Sequence, residues 1–387
     1  MSKHDFDFDE FQTRRQLVRQ AMYNQGIDVL LIIHPVCLHW LTGTDTKSYQ
    51  SFQCLIFSAK DSFPLIILTR ESERAEYLDD AFVDEIRTFA GPEPSDPIDL
   101  LRATLNEFSL SHQRIGLEVP AFYLHPHHYV RILDLLGDNL KTEQTTLVHS
   151  LKAVKSSKEI QYIRIASQIA DQAMQACIGT VRPGLSELEL SAHVYNTLLS
   201  NGSGIPASPI NLVSGDRMCF SHGMPTHRLL RHKDDINVEF GATWKRYTAT
   251  IGRQLCLGTP SARMQEIFEV CLAACDACIA TIRDGVPAIE PHLAAKKVIA
   301  DAGFNRYRIH TTGYGIAPGT PPSWGEPLNM YGDSAEVLKA GMVVSVEPPI
   351  YIHEERIGAR VIDNVLVTTN GCELLSNVTR NLVMVPS

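Results

Sequence analysis

The sequence predicts an α/β (α+β) protein of two domains, a smaller N-terminal one over residues 1–150 and a larger C-terminal one over 151–387. Three observations carry this. Residues 1–150 alternate between short β-rich runs and amphipathic helical stretches, the pattern of helices packed on a mixed sheet. A long helical stretch then opens near residue 156. Beyond Gly202 come strands and loops, two further helices and two closing strands.

In the first domain, "DEFQTRRQLVRQAMYNQG" reads as an amphipathic helix closed by Gly26. "IDVLLII", "SFQCLIFSA", "FPLIILT" and "QRIGLEV" read as strands, being β-branched or aromatic runs bounded by turn residues. "RESERAEYLDDA" and "PIDLLRATLNEFSL" read as helices between them. In the second domain, Ser156 or Ser157 is placed to cap the long helix, with Glu159 in its first turn. "RPGLSELELSAHVYNTLLSNG" follows as a turn and a second helix. "INLVSGDR", "INVEFGATW" and "RYTATIGRQLCLG" read as strands, "MQEIFEVCLAACDACIATIRDG" and "IEPHLAAKKVIADAG" as helices, and "VVSVEPPIY" and "ARVIDNVLVT" as the closing strands.

The chain has 387 residues, 44% hydrophobic and 20% charged, enough for a large buried core. No apolar run approaches the ~18 residues of a membrane span. The acidic start "MSKHDFDFDEF" lacks the basic and apolar regions of a signal peptide. A net charge of −9 argues against nucleic acid or anionic membrane as partner. Nine cysteines, an odd number, fit reduced thiols in a cytoplasmic protein. Cys271, Cys275 and Cys278 lie in one helical stretch with no second CxxC and no nearby His, so they are expected in the core rather than on a metal.

The order of five blocks resembles the creatinase/prolidase (pita-bread) family: "FSHGMPTHRLL", "VEFGATWKRYTATIGR", "HTTGYGIA", "AGMVVSVEPPIYI" and "GARVIDNVLVT", after the entry helix "LKAVKSSKEIQYIRIASQIAD". The resemblance spans essentially the whole chain. It implies a creatinase-type N-terminal domain followed by a pita-bread catalytic domain. Metal-dependent members hold two divalent ions through two Asp, one His and two Glu, oxygen and imidazole donors that activate a water. At the matching positions this chain has Glu239, Thr250, Tyr314, Glu347 and Ile362. Thr and Ile do not replace charged ligands, and Tyr is a poor substitute for His. The resemblance therefore implies no dinuclear metal site and no cofactor.

What remains suggests side-chain chemistry. His222 matches the general acid/base histidine of creatinase; an imidazole can take a proton and return it near neutral pH. Glu239 and Glu347 are the surviving carboxylates, able to split into acid and base by raising one another's pKa, or to be neutralised by Arg253 or Arg360. His310 matches the family's substrate-side histidine. Tyr314 could donate to an oxyanion or fill the vacated ligand position. Trp324 could cover a small cation or anchor its loop. Creatinase's own two catalytic Glu would fall at Gly252 and Val361, so creatine itself is a poor match. In "HWLTGTDTKSYQSFQCLIF", Tyr49, Phe52 and Gln53 could face a ligand, since in creatinase-like homodimers the partner's N-terminal domain closes the pocket. The expected function is a metal-independent hydrolase of a C–N bond in a small, ectoine-like or creatine-like nitrogen compound. The alternatives are an Xaa-Pro dipeptidase or aminopeptidase using metal, and a non-catalytic binding protein on the same fold.

Overall fold

The computed structural model describes residues 3–45, 48–144 and 146–386. Its contacts divide it into two units, Met1–Lys152 and Ala153–Ser387.

The first unit contains α1 (Phe8–Asn24), β1 (Val29–Ile32), α2 (Pro35–Thr42), β2 (Cys54–Ser58), β3 (Ile66–Arg70), α3 (Arg74–Asp80), β4 (Glu85–Phe89), α4 (Pro97–Glu107), β5 (Ile115–Leu117), α5 (Pro126–Leu136), β6 (Leu140–Glu143) and α6 (Leu147–Lys152). The six strands form one sheet in the order β4-β3-β2-β1-β5-β6. The pairs β1/β2 and β2/β3 are antiparallel, while β3/β4, β1/β5 and β5/β6 are parallel, so the sheet is mixed. β1 and β2 are buried along their whole length because apolar clusters cover both faces of the sheet, which is why they read as unbroken hydrophobic runs. Gly26 follows α1 at φ 66°, the left-handed conformation in which glycine carries no Cβ penalty.

The second unit opens with α7 (Ser157–Thr180) and α8 (Glu187–Ser200). Ser156 and Ser186 both close capping boxes, with Glu159 and Glu189 respectively, so each helix satisfies its first free N–H groups from its own sequence. Then come β7 (Asn211–Ser214), β8 (Asp235–Trp244), β9 (Tyr247–Leu257), α9 (Ala262–Thr281), α10 (Ile289–Asp301), β10 (Gly313–Thr320), β11 (Ser323–Met330), β12 (Val343–Val346), β13 (Ile350–Ile352), β14 (Ile357–Ala359), β15 (Asp363–Val367), β16 (Cys372–Leu374) and β17 (Val383–Val385). Nine of these strands form one sheet, with β16-β15-β12-β10-β9-β8-β7 as its main path. One apolar cluster joins α7 and α8 to β8 and β9; a second joins α9 and α10 to β12 and β15. Cys271, Cys275 and Cys278 lie inside that second cluster as free thiols.

Two expected elements differ in detail. "VVSVEPPIY" is not one strand: it breaks after Val346, and β13 resumes at Ile350. Pro348 and Pro349 have no N–H to give a ladder, so the pairing stops there. "ARVIDNVLVT" is split as well: Ala359 ends β14, and β15 begins at Asp363. Before it, Ile362 makes an isolated bridge to Gly252, with both backbone hydrogen bonds present at 3.0 and 3.1 Å.

Candidate active site

The β8/β9 hairpin sets the sides of the site. Its register pairs Glu239 with Gly252, Gly241 with Thr250, and Val238 with Arg253. Directly paired residues share a face and neighbours along a strand alternate. Glu239, Gly252, Gly241 and Thr250 therefore lie on one face. Val238 lies on the other, in the cluster under α7 and α8, and Arg253 with it. Gly252 has a steric reason to be glycine, since a Cβ there would stand 2.6 Å from Cγ1 of Ile362.

That parity decides which arginine meets the carboxylates. Arg253 pairs with Asp363 at 2.8 Å and donates to the carbonyls of Gly252, Ile362 and Val378. It does not reach Glu239. Arg360 does: its Nη1 lies 2.8 Å from Oε2 of Glu239 and its Nη2 donates to Oε2 of Glu347 at 3.0 Å. Nη1 also donates to the carbonyl of Ser221 at 3.2 Å. Asn211, on β7, adds an amide donor to Oε2 of Glu239 at 3.1 Å. Glu239, Glu347 and Arg360 are all buried. Burial works against the Arg360 charge, but the two glutamates outweigh it and hold the guanidinium firmly protonated. Glu347 is pushed up to about 7, chiefly by burial, against the pull of Arg360. Its Oε1 has no hydrogen-bond partner.

Two histidines stand beside this cluster. The rings of His222 and His310 are 5.2 Å apart, and Nδ1 of His310 is 3.7 Å from Oε1 of Glu347. Nδ1 of His310 also lies 3.2 Å from the Thr311 carbonyl. A carbonyl only accepts, so Nδ1 carries the hydrogen and Nε2 keeps its lone pair. Burial first, then Arg360, lowers His310 to about 4. The same two causes lower His222, with Glu239 opposing them. Both rings are thus neutral at pH 7.

The other expected residues are accounted for locally. Trp324 is buried and its Nε1 donates to the Tyr314 hydroxyl at 3.2 Å, so the indole N–H is spent inside the fold. Burial and the nearby glutamates raise the Tyr314 phenol, which stays protonated. In the first unit, Phe52 is buried, its ring against Phe89 and His128, and the Tyr49 ring meets Tyr123 edge-on. Both line a cleft of about 600 Å³ beside His125 and His128. Gln53 is buried and accepts from the Tyr77 hydroxyl at 2.5 Å, which commits its amide oxygen to the fold. Thr46 and Lys47, in the same stretch, lie outside the described residues. The sequence reading missed Asn211 and Asn364. A lone asparagine in a strand carries no spacing signal, and only the register places each one.

The donor set can be tested against a pair of divalent ions. At the five positions that the family resemblance assigns to metal, Oε2 of both glutamates is engaged by Arg360. Thr250 is locked to Asn364, accepting from Nδ2 at 2.8 Å while its backbone N–H donates to Oδ1 at 2.6 Å. Tyr314 offers a protonated phenol, and Ile362 offers no donor atom. Such a set does not fit a dinuclear centre, which needs several anionic or imidazole donors at about 2.0–2.2 Å. Among the described residues, the His, Cys, Asp and Glu side chains grouped closely enough for an ion are His34, Cys37 and His149, in the first unit. There, Nδ1 of His34 accepts from the Val36 N–H, which leaves the hydrogen of the neutral ring on Nε2 and no free lone pair for a metal.

The fold and site define a two-domain protein of hydrolase architecture, with a buried carboxylate–guanidinium–carboxylate cluster flanked by neutral histidines. Residues 161–369 match metallopeptidase family M24, and residues 14–149 match the creatinase/prolidase N-terminal domain. The chain belongs to family M24, a family of hydrolases. It is 31% identical over 237 residues to the Xaa-Pro dipeptidase of Pyrococcus horikoshii, a match covering 61% of this chain and 66% of that one. The matched region is thus just under two-thirds of that relative. Among solved structures it resembles dipeptidase PepE from Mycobacterium ulcerans (25% identity, TM-score 0.86, 99% of this chain and 100% of that one). It also resembles an Xaa-Pro dipeptidase from Bacillus anthracis (26% identity, TM-score 0.83, 97% and 99%). These findings correct the functional expectation. The relatives are peptidases in a metallopeptidase family, so the reading as a metal-independent hydrolase of an ectoine-like or creatine-like compound is set aside in favour of the peptidase alternative.

Proposed function

We propose that this protein is a peptidase of short peptides, breaking the C–N bond ahead of proline in Xaa-Pro dipeptides. The observation that carries it is the buried Glu347, with one oxygen on Arg360 and the other without a partner beside His310, in a chain whose relatives include Xaa-Pro dipeptidases. The chemistry of the bond fits these groups. A prolyl nitrogen carries no hydrogen in the peptide and must gain a proton to leave as an amine. A carboxyl raised to about 7 can hold that proton at neutral pH and release it. Neutral His222 can accept a proton from water, while His310, lowered to about 4, stays neutral and serves as a hydrogen-bonding group. Arg360 supplies a fixed positive charge that does not move during the reaction.

The same reading takes the protein as a cytoplasmic homodimer in which the partner's N-terminal domain closes the pocket. Support comes from the family resemblance, from the free cysteines, and from the finding that no helix among the described residues is long and apolar enough to cross a membrane.

The test is proline release from Gly-Pro, Ala-Pro and Leu-Pro, with Gly-Gly as control and with or without added Mn²⁺. Release from the prolyl dipeptides alone is expected. No release under any condition would overturn the peptidase reading. A second reading is favoured by Arg360 engaging both carboxylates: the pocket binds the dipeptide without cutting it. Calorimetric binding of Ala-Pro without proline release would select that reading.

A further inference from the structure

Helix α1 buries three arginines, Arg14, Arg15 and Arg19. Burying a guanidinium is costly unless its donors are met. Arg14 is served by the Trp40 carbonyl at 3.0 Å and Glu10 at 2.6 Å. Arg15 donates to the carbonyls of Leu41 and Phe82 at 3.1 and 2.8 Å, bonds that leave its charge without a carboxylate. Arg19, one turn further on, has its Nη1 2.6 Å from Oδ1 of Asp61, yet neither Nη1 nor Nε, both buried, makes a hydrogen bond. Its side chain is 9% exposed; that of Asp61 is 69% exposed.

Both arginines line a cleft of about 400 Å³ within the first unit. Lys3 joins them on its wall, its Nζ on the Leu78 carbonyl at 3.1 Å. Two carboxylates face these three cations, Asp61 and Asp84. Asp84 is tied down by the Leu65 N–H at 2.7 Å, and Asp61 sits largely in water. The cleft therefore carries one positive charge in surplus, over walls that include Phe63 and Phe82. Burial brings Arg15 down to about 10, with Asp84 opposing the shift and Arg19 adding a smaller push in the same direction as burial.

We propose that this cleft binds a small oxyanion, a carboxylate or a phosphate, on Arg19 with Arg15 behind it. The anion meets the Arg19 guanidinium, whose buried donors are not fully met, and competes with Asp61 for it. The site is independent of the peptide pocket and of its chemistry.

The test is isothermal titration of the full-length protein with inorganic phosphate and, separately, with succinate, at constant ionic strength and with chloride as control. One equivalent of at least one anion should bind; which one binds identifies the source. Arg19→Gln should weaken that binding at least tenfold, the scale of losing a charge-assisted contact. Asp61→Asn removes the competing carboxylate at an exposed position and should tighten binding severalfold, which keeps the proposal testable should Arg19→Gln fold poorly. Neither anion binding above chloride would overturn the proposal. So would binding unchanged in Asp61→Asn.

Discussion

Arg360 and Glu347 form an ion pair at 3.0 Å with each side chain 1% exposed, and the same guanidinium lies 2.8 Å from Glu239. Removing one member of a buried ion pair costs roughly 3–5 kcal/mol because the other is left uncompensated. Arg360→Met should therefore destabilise the protein by about that amount, as measured by denaturant unfolding. Adding Glu347→Gln to it should recover part of the loss. A destabilisation below about 1 kcal/mol, within the range of exposed pairs, would mean that the cluster is solvated.

The same pair makes stability depend on pH. Glu347 is raised in the folded state from an ordinary carboxyl to about 7. A raised group contributes stability that is full below its unfolded pKa and is lost as pH climbs through the folded value. Between about pH 4.5 and 7, Glu347 should lower stability as pH rises, with a slope approaching 1.4 kcal/mol per unit. His310, lowered to about 4, acts in the opposite direction: its neutral form costs stability as pH falls from about 6.5. Comparing wild type with Glu347→Gln isolates the carboxyl. A difference between their stabilities that stays flat across pH 4.5–7 would contradict the raised pKa.

Glu347→Gln should also cut proline release roughly a hundredfold or more, the usual scale for a general acid or base. His222→Ala should do likewise, with dipeptide binding better preserved than turnover. Full turnover in both variants would place the chemistry elsewhere.

Gly252→Ala should destabilise by about 1–3 kcal/mol, the cost of overpacking, because its Cβ would meet Ile362 at 2.6 Å. Thermal unfolding is the readout. A neutral effect would mean that the Ile362 segment moves freely away from β9.

Much of this was legible in the sequence because its signals are local. The capping serine Ser156 stands three residues before Glu159, and that spacing marks where the long helix starts. The family blocks picked out Glu239, Glu347, His222 and His310, which the fold brings together. Other features were hidden for physical reasons. β4 and β6 have little of the fully buried apolar character that marked β1 and β2, and at the two edges of the sheet neither needs it. The β8/β9 turn is made by Lys245 and Arg246 at φ 51° and 66°, a conformation normally announced by Asn-Gly. Which of Arg253 and Arg360 meets the glutamates depends on strand register, and no spacing rule along one strand contains it.

That register has a consequence for how the chain tolerates change. β9 works as a partition between two ionic circuits. On one side run Arg360, Glu239 and Glu347; on the other, Arg253 with Asp363, which Arg380 also holds at 2.7 Å. The backbone bridge between Gly252 and Ile362 pins the partition at the point where the two circuits come nearest. A single inserted residue upstream of that pin would swap the faces, carrying Arg253 toward the glutamates and withdrawing its charge from Asp363. Length variation between Tyr247 and Arg253 is thus closed to this chain in a way that side-chain variation is not.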